Sequence, residues 1–166
     1  MYKVQFVLAG FSWRERRRAA RRMRVLLDAL TAINLDWLRE YPNTPPLYRS
    51  GVVYQREPPG REDWQDIPTT IERRNGDCED LATWRAAELQ AKGIRARAVA
   101  IPRPMLVGPG RELGTLWHIV VSHPDGSVED PSRILGMEPA RAGEEPLGLE
   151  AAAGLGDPSR VVVIGD

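Results

Sequence analysis

The sequence predicts an α+β fold in which helices and an antiparallel sheet share one core. Two long stretches space their apolar residues at the helical period, whereas shorter stretches bounded by proline and glycine are typical of strands. The chain has 166 residues, of which 42% are hydrophobic. That length is enough to bury one sizeable core but is short for two ordinary domains. We therefore expect a single domain over residues 1–166.

The N-terminal part predicts a strand followed by a long helix. Apolar residues alternate from Tyr2 to Leu8, as in a strand with one buried face. Ser12 and Glu15 then have the spacing of a capping box, and a helical pattern continues until Pro42. Residues 14–24 hold seven arginines and one glutamate, so the first turns are strongly basic. The expected core face is formed by Ala19, Ala20, Met23, Leu26, Leu27, Leu30, Ile33, Trp37 and Leu38.

The middle of the chain predicts an irregular segment and then a second helix. Between residues 42 and 68 the prolines and polar residues favour surface structure, with a short strand at residues 52–55. A helix is expected from Cys78 to Lys92, because Asp77 suits its N-cap and Asp80 lies in its first turn. Gly93 suits the left-handed conformation that ends many helices. The helix therefore begins at the only cysteine.

The C-terminal half predicts a hairpin. A strand is expected at residues 94–101, followed by a Pro- and Gly-rich loop at residues 102–114. Residues 116–122 and 127–129 flank the tetrapeptide His-Pro-Asp-Gly, whose composition favours a type I turn followed by a left-handed glycine. The segment 137–158 is expected to be irregular, and residues 160–164 to form a last strand.

Composition excludes several classes of function. The 23 basic and 23 acidic residues cancel, so nucleic acid and membrane are not expected partners. A single cysteine permits no internal disulfide. Neither a signal peptide nor a transmembrane run of about 20 apolar residues is present, which favours a cytoplasmic protein. We expect no cofactor, and no metal, because the acidic residues around Cys78 lack the donor spacing of a hard-ion loop.

Three residues predict thiol chemistry. Cys78 lies at a helix start, where unpaired N–H groups and the helix dipole favour a thiolate, so we expect a lowered pKa. His118 is on the first strand of the hairpin and Asp130 ends the second, within one or two residues of direct opposition. Such a pair can hold an imidazole in one tautomer. The order Cys78, His118, Asp130 thus predicts nucleophile, acid/base and orienting residue, acting on amide or ester carbonyls.

The same residues resemble a known family. The run EDWQDIPTTIERRNGDCEDLATWRAAELQAKGIRARAVAI, followed by LWHIVV and DGSVEDPS, is similar to the core of transglutaminase-like cysteine peptidases, part of the papain-like group. The resemblance covers about residues 62–135 and leaves 1–41 and 136–166 as elaborations. It implies a cysteine-bearing helix packed on an antiparallel sheet that presents His and Asp, with acyl-enzyme chemistry on peptide or glutamine-type amides and a bacterial or bacteriophage setting.

Residue by residue, the resemblance places Cys78, His118 and Asp130 at the catalytic positions. Trp64 and Gly76 match substrate-side or structural positions. The backbone N–H of Cys78 is the natural first oxyanion donor, and the second is left open among the side chains of three residues. These oxyanion and substrate-side candidates are Trp64, Gln65 and Asn75.

Each candidate also has a plain structural interpretation. A lone cysteine is often a small buried hydrophobe, a strand histidine can fill a half-buried site, and Asp130 can cap the turn that Pro131 begins. His123 is expected to face solvent. The rival function is a bacteriophage virion or tail-assembly protein that keeps the fold for binding. In that case the surface Arg14–Arg24 would dock on neighbouring protein subunits, and the protein would be part of a phage particle.

Overall fold

The computed structural model describes residues 13–58, 62–107 and 112–138. Within them the helices are α1 (Arg16–Glu40), α2 (Ile67–Arg73), α3 (Cys78–Ala91) and α4 (Pro131–Ile134). The strands are β1 (Val53–Tyr54), β2 (Asn75–Gly76), β3 (Arg97–Val107), β4 (Glu112–Ser122) and β5 (Val128–Glu129). The strands expected at residues 2–8 and 160–164, and the cap expected at Ser12, lie outside the described residues.

The described part of the fold is mixed α+β, with helices packed on an antiparallel sheet. One buried cluster joins α1, α3 and the sheet, and Trp84 of α3 centres a second cluster on the other side of that helix. None of the helices in the described ranges combines the length and the apolar character needed to cross a bilayer. The main cluster contains Met23, Leu27, Ala82, Ala86, Leu89, Ala96, Ala98, Ile119 and Val121.

The long first helix is confirmed, but its buried face is partly polar. Ile33 was expected in the core and is 55% exposed, so that prediction is wrong. Asn34 is fully buried instead: its Oδ1 accepts from the N–H of Ile67 (2.9 Å) and its Nδ2 donates to Thr83 Oγ1 (3.2 Å). The apolar pattern does not predict that Asn34 is buried, because the amide is stabilised by hydrogen bonds to residues far away in the sequence.

Helix α2 has no counterpart among the sequence-based expectations. Its start is nevertheless visible locally, since Asp66 Oδ1 accepts from the Thr69 N–H (3.1 Å) and Pro68 lies in the first turn. Both features are typical helix starts. The helix ends at Arg74, which takes a left-handed conformation (φ 58°) and leads into β2.

The expected loop at residues 102–114 is wrong for most of its length. Strand β3 continues to Val107, and β4 begins at Glu112, with eleven paired positions between the two strands. Pro102 and Pro104 are tolerated because β3 is an edge strand of the described sheet, whose order is β3-β4-β5. They are two residues apart, so their missing N–H groups lie on the same side of the strand.

The hairpin between β4 and β5 is confirmed. The N–H of His123 donates to the Ser127 carbonyl (2.9 Å), and Gly126 has φ 85° as the turn requires. Val121 pairs with Glu129, which leaves Asp130 two positions from direct opposition to His118. His123 itself is half-buried and bonds Glu129, so the expectation that it faces solvent is wrong. Glu129 provides the partner that makes burial favourable.

Candidate functional site

Cys78 is the first residue of α3 and is held there by its neighbours. The backbone N–H of Asp77 donates to Asp80 Oδ2 (3.1 Å), as part of a capping box at the expected helix start. Gly76 lies so close to Asp80 and Thr70 that a Cβ would be 3.0 and 3.1 Å from their side chains. The position of the thiol is therefore fixed by tight packing just before it.

The sulfur of Cys78 lies against strand β4. It is half-buried, and its thiol is 3.5 Å from Glu79 Oε2. It also accepts a hydrogen bond from the backbone N–H of Ile119, the residue that follows His118. The helix start and the histidine strand thus meet at adjacent residues.

His118 and Asp130 form the expected pair. The ring Nε2 of His118 lies 2.9 Å from Asp130 Oδ2, and His118 is only 9% exposed. Asp130 Oδ1 accepts from the Arg133 N–H (3.2 Å), so the carboxylate also caps α4, and the two suggested roles coexist. An ionised carboxylate accepts, which assigns the ring proton to Nε2 and leaves Nδ1 as the basic nitrogen.

The structure brings two of the three residues into contact and places the third beside them. His118 and Asp130 are hydrogen-bonded, and the Cys78 sulfur bonds the neighbouring backbone. Among the described residues Cys78 forms no hydrogen bond with the imidazole of His118. The resting arrangement is therefore a held histidine with a thiol next to its strand, rather than a closed thiol–imidazole pair.

The expected lowering of the Cys78 pKa is wrong. Burial raises the pKa of the Cys78 thiol well above its ordinary value, and the carboxylates of Glu79 and Asp77 raise it further. The Ile119 N–H lowers it, but this one hydrogen bond is outweighed. The helix dipole argument fails here because negative charges flank the thiol on both sides in the sequence. Near neutral pH the sulfur is accordingly protonated.

The carboxyl groups beside Cys78 are buried and have no cationic partner in the described part of the chain. Burial, followed by a hydrogen bond with Asp77, raises the pKa of Glu79 well above its usual range. Burial and the charge of Asp77 also raise the pKa of Asp80, in spite of hydrogen bonds from Gln65 and Asp77 N–H groups. Asp77 Oδ1 and Glu79 Oε1 accept no hydrogen bond from the described residues. Adjacent carboxyls of this kind hold a proton between them or require a cation.

Two donor groups near the thiol have the spacing that a cation needs. The ligand atoms of Asp77, Cys78 and Glu79 lie within 4.8 Å of one another, and so do those of Glu57, Glu62 and Asp77. Carboxylate oxygens suit hard divalent ions, which take six or more oxygen ligands, so neither group is complete alone. The expectation that the chain holds no metal stays a prediction.

The second oxyanion donor stays open among the three candidates. The side-chain amide of Gln65 donates to Asp80 Oδ2 (3.0 Å), and that of Asn75 donates to the Arg73 carbonyl (3.0 Å). Each of these amides has a second N–H, so neither is excluded as a donor. Trp64 is half-buried and packs, like Cys78, against the main core cluster. It stays the candidate on the substrate side.

Tyr54 lies near the thiol, although no sequence motif predicts a role for it. It pairs with Gly76 in the parallel β1–β2 ladder. Burial, followed by the charges of Cys78 and Asp77, raises the pKa of the Tyr54 hydroxyl to about 12. No local motif marks this tyrosine, because its proximity to Cys78 arises from pairing between distant segments.

The arrangement can support nucleophilic catalysis. It contains a thiol at a helix N-terminus, a backbone N–H able to face an oxyanion, and an imidazole held by a carboxylate on the adjoining strand. The spare nitrogen of that imidazole can accept a proton. No protein-family model, curated protein or solved structure matches this chain significantly.

Proposed function

We propose that the chain is a cysteine-dependent acyl-transfer enzyme, a thiol peptidase or amidase of transglutaminase-like type with a papain-like core. The observation that carries this proposal is the 2.9 Å contact between His118 Nε2 and Asp130 Oδ2. Beside it, the Cys78 sulfur accepts a hydrogen bond from the backbone N–H of Ile119, the residue after His118. The proposed substrate is a peptide or protein amide. The proposed compartment is the cytoplasm.

In the proposed first half-reaction, His118 acts as general base. Because the resting thiol is protonated, Nδ1 takes the Cys78 proton as the sulfur attacks the carbonyl carbon, and Asp130 stabilises the imidazolium. The N–H of Cys78 faces the developing oxyanion, with Trp64, Gln65 or Asn75 as the candidate second donor. Collapse breaks the C–N bond, and the imidazolium protonates the departing amine.

In the second half-reaction, water resolves the thioester. His118 removes a proton from the attacking water, the carbonyl carbon gains the hydroxyl, and the C–S bond breaks to return the Cys78 thiol and a carboxylic acid. An amine in place of water would give transamidation. Hydrolysis is proposed because no site that would select an amine over water is apparent among the described residues.

The test uses p-nitrophenyl acetate as the acyl probe. The wild-type protein should release one equivalent of p-nitrophenol in a burst and gain one acetyl group, which peptide mapping should locate on Cys78. Cys78→Ser should show neither. Asp130→Asn keeps the oxygen that caps α4 and should fold while acylating more slowly. Acetylation elsewhere, or an unchanged burst in Cys78→Ser, would refute the proposal.

A second candidate is assembly into a bacteriophage particle, and the outer face of α1 favours it. Arg14, Arg17, Arg18 and Arg21 are exposed and form no ion pair within the described part of the chain. Val25, one turn further along, is 67% exposed. Such a face suits an acidic protein surface with apolar contacts at one end.

Charge reversal separates the two candidates. Arg17→Glu with Arg21→Glu changes the exposed face of α1 and leaves the Cys78 region intact. An assembly role predicts that the variant is lost from purified particles, whereas an enzyme role predicts unchanged acylation of Cys78. Normal incorporation of the variant would exclude this face as the docking surface.

A further inference from the structure

A second polar cluster is centred on Glu129. Its carboxylate accepts hydrogen bonds from Arg85 Nε (2.7 Å) and from the Tyr48 hydroxyl, and it lies 2.9 Å from His123 Nε2. We call Tyr48, Arg85, His123 and Glu129 the Glu129 hub. Its four members come from a 3₁₀ turn, helix α3, the hairpin turn and strand β5. Distant parts of the chain therefore meet at one carboxylate.

The hub continues into helix α3 and the segment before it. Arg85 Nη1 lies 3.0 Å from Glu88 Oε2, and Glu88 Oε1 accepts from the backbone N–H of Leu47 (2.6 Å). The Arg85 guanidinium also stands over the Tyr48 ring, 5.2 Å from its centroid. Arg85 thus bridges two glutamates with two different nitrogens, a geometry that lysine does not reproduce.

Within the Glu129 hub, electrostatics favour the ionised forms of Arg85 and Glu129. Burial acts to raise the pKa of Glu129, but the hydrogen bonds from Arg85 and Tyr48 outweigh it and hold the pKa below its usual value. Burial acts to lower the pKa of Arg85, and its bonds to Glu129 and Glu88 raise it instead. The side chains of Arg85 and Glu129 are 20% and 17% exposed, so solvent screens the pair only in part.

The hub is joined directly to the two catalytic elements. Glu129 immediately precedes Asp130, and Arg85 lies on the helix that begins at Cys78. Strand β5 has only two residues paired with β4, which is a weak hold on the chain that carries Asp130. We propose that the Glu129 hub is a positioning device, which holds Asp130 against His118 and ties both to the Cys78 helix.

The reason that position matters is the short His118–Asp130 contact. A hydrogen bond at 2.9 Å weakens steeply with displacement, and a shift of about 1 Å in a catalytic group can cost a hundredfold in rate. The Arg133 backbone N–H also contacts Asp130, as the α4 cap, whereas the Arg133 guanidinium is 57% exposed and its ion pair adds little. The Glu129 hub is thus a stronger constraint on this segment than the Arg133 guanidinium is. Its catalytic meaning rests on the proposed function, whereas its effect on the imidazole does not.

The test reads the imidazole directly. Nitrogen-15 NMR of the full chain reports which ring nitrogen of His118 is protonated and how fast that proton exchanges with solvent. In the wild type we expect the Nε2–H tautomer alone, with slow exchange of that proton. In Asp130→Asn we expect that this slowly exchanging proton is no longer observed. Arg85→Met should approach the Asp130→Asn result, with exchange roughly tenfold faster than in the wild type. The exchange rate in Arg85→Lys should lie between that of the wild type and that of Arg85→Met. The matched control is Arg39→Met, which removes the same charge from an exposed position on α1.

Two outcomes would overturn the proposal. One is a wild-type His118 signal in both Arg85 variants while their thermal stability falls, because that pattern means the hub only stabilises the fold. The other is an equal change in Arg39→Met, which would make net charge the cause. If Arg85→Met does not fold, Arg85→Lys alone decides: an unchanged tautomer and exchange rate refute positioning. Since no turnover is measured, an inactive protein would refute the proposed function without affecting this result.

Discussion

The start of helix α3 and the Glu129 hub both bury carboxylates, but they treat them in opposite ways. At the hub, one glutamate receives donors from Arg85, Tyr48 and His123. At the start of α3, an oxygen of Asp77 and one of Glu79 accept nothing from the described residues. Accordingly, the pKa of Glu129 is held down by its partners, whereas burial raises that of Glu79.

This contrast separates two uses of a buried acid. A buried carboxylate with cationic partners is stabilised in its ionised form. Buried carboxylates without such partners are not, and they shift the pKa values of the groups around them. Here they surround Cys78, whose pKa is raised by burial and by Glu79 and Asp77. The hub therefore behaves as framework, and the start of α3 is the reactive region only in the proposed function.

The largest expected effect comes from removing the hub carboxylate. Glu129→Ala leaves the half-buried Arg85, Tyr48 and His123 without their common acceptor. Breaking a buried charged network by removing one member is strongly destabilising, and partial exposure reduces the cost to about 3 kcal/mol. Urea denaturation measures it. If the free energy of unfolding falls no more than on loss of a surface ion pair, the Glu129 hub is not a stabilising network and its contrast with the start of α3 is lost.

The charges at the start of α3 are expected to slow the thiol. Asp77→Asn combined with Glu79→Gln removes both acids while asparagine keeps the N-cap, so the Cys78 pKa should fall. Alkylation by iodoacetamide at pH 8 should accelerate about tenfold. The matched control, Asp36→Asn, removes an exposed charge from α1 and should leave the rate unchanged. Equal rates in the double variant and the wild type would show that these acids do not act on the sulfur.

Stability should depend on pH through Glu79. Burial raises its folded pKa well above the usual 4.5, so the folded chain binds this proton more tightly than the unfolded chain. The resulting stability is complete below about pH 4.5 and is lost as the pH rises towards the folded pKa. Glu79→Gln resembles the protonated acid. Its free energy of unfolding, relative to that of the wild type, should therefore rise by on the order of 1 kcal/mol between pH 5 and pH 8. Denaturation curves at both pH values check this, and an unchanged difference between them would contradict it.

The smallest effect is expected at a surface ion pair. Arg24 Nε lies 3.6 Å from Asp28 Oδ2, and the side chains are 32% and 51% exposed. Arg24→Met should change the free energy of unfolding by less than about 0.5 kcal/mol, because solvent screens such pairs. A loss comparable to that of Glu129→Ala would mean that burial does not explain the strength of the hub.

The features predicted from the sequence are those with local causes. The start of α3 at Cys78 follows from Asp77 and Asp80, and the β4–β5 register follows from the four-residue turn. That register alone brings Asp130 within reach of His118. Caps and turns depend on residues that are neighbours in the sequence, so they can be predicted without knowledge of the tertiary contacts.

The features missed depend on contacts between distant residues. Arg85 and Glu129 are 44 positions apart, and no local pattern joins them. The prolines of β3 suggested a loop, because an edge position is known only once the sheet is assembled. The Cys78 pKa was predicted in the wrong direction, since the sequence shows the neighbouring acids but not that they are buried.

The most direct test of the account is the acetylation rate of Cys78 by p-nitrophenyl acetate at pH 7, in the wild type and in His118→Ala. Because the thiol is protonated at rest, in the proposed mechanism His118 must remove its proton during attack, and the rate should fall about a hundredfold in the variant. Equal rates in a folded His118→Ala protein would contradict it, and would leave Cys78 as a buried thiol beside a histidine that takes no part in its chemistry.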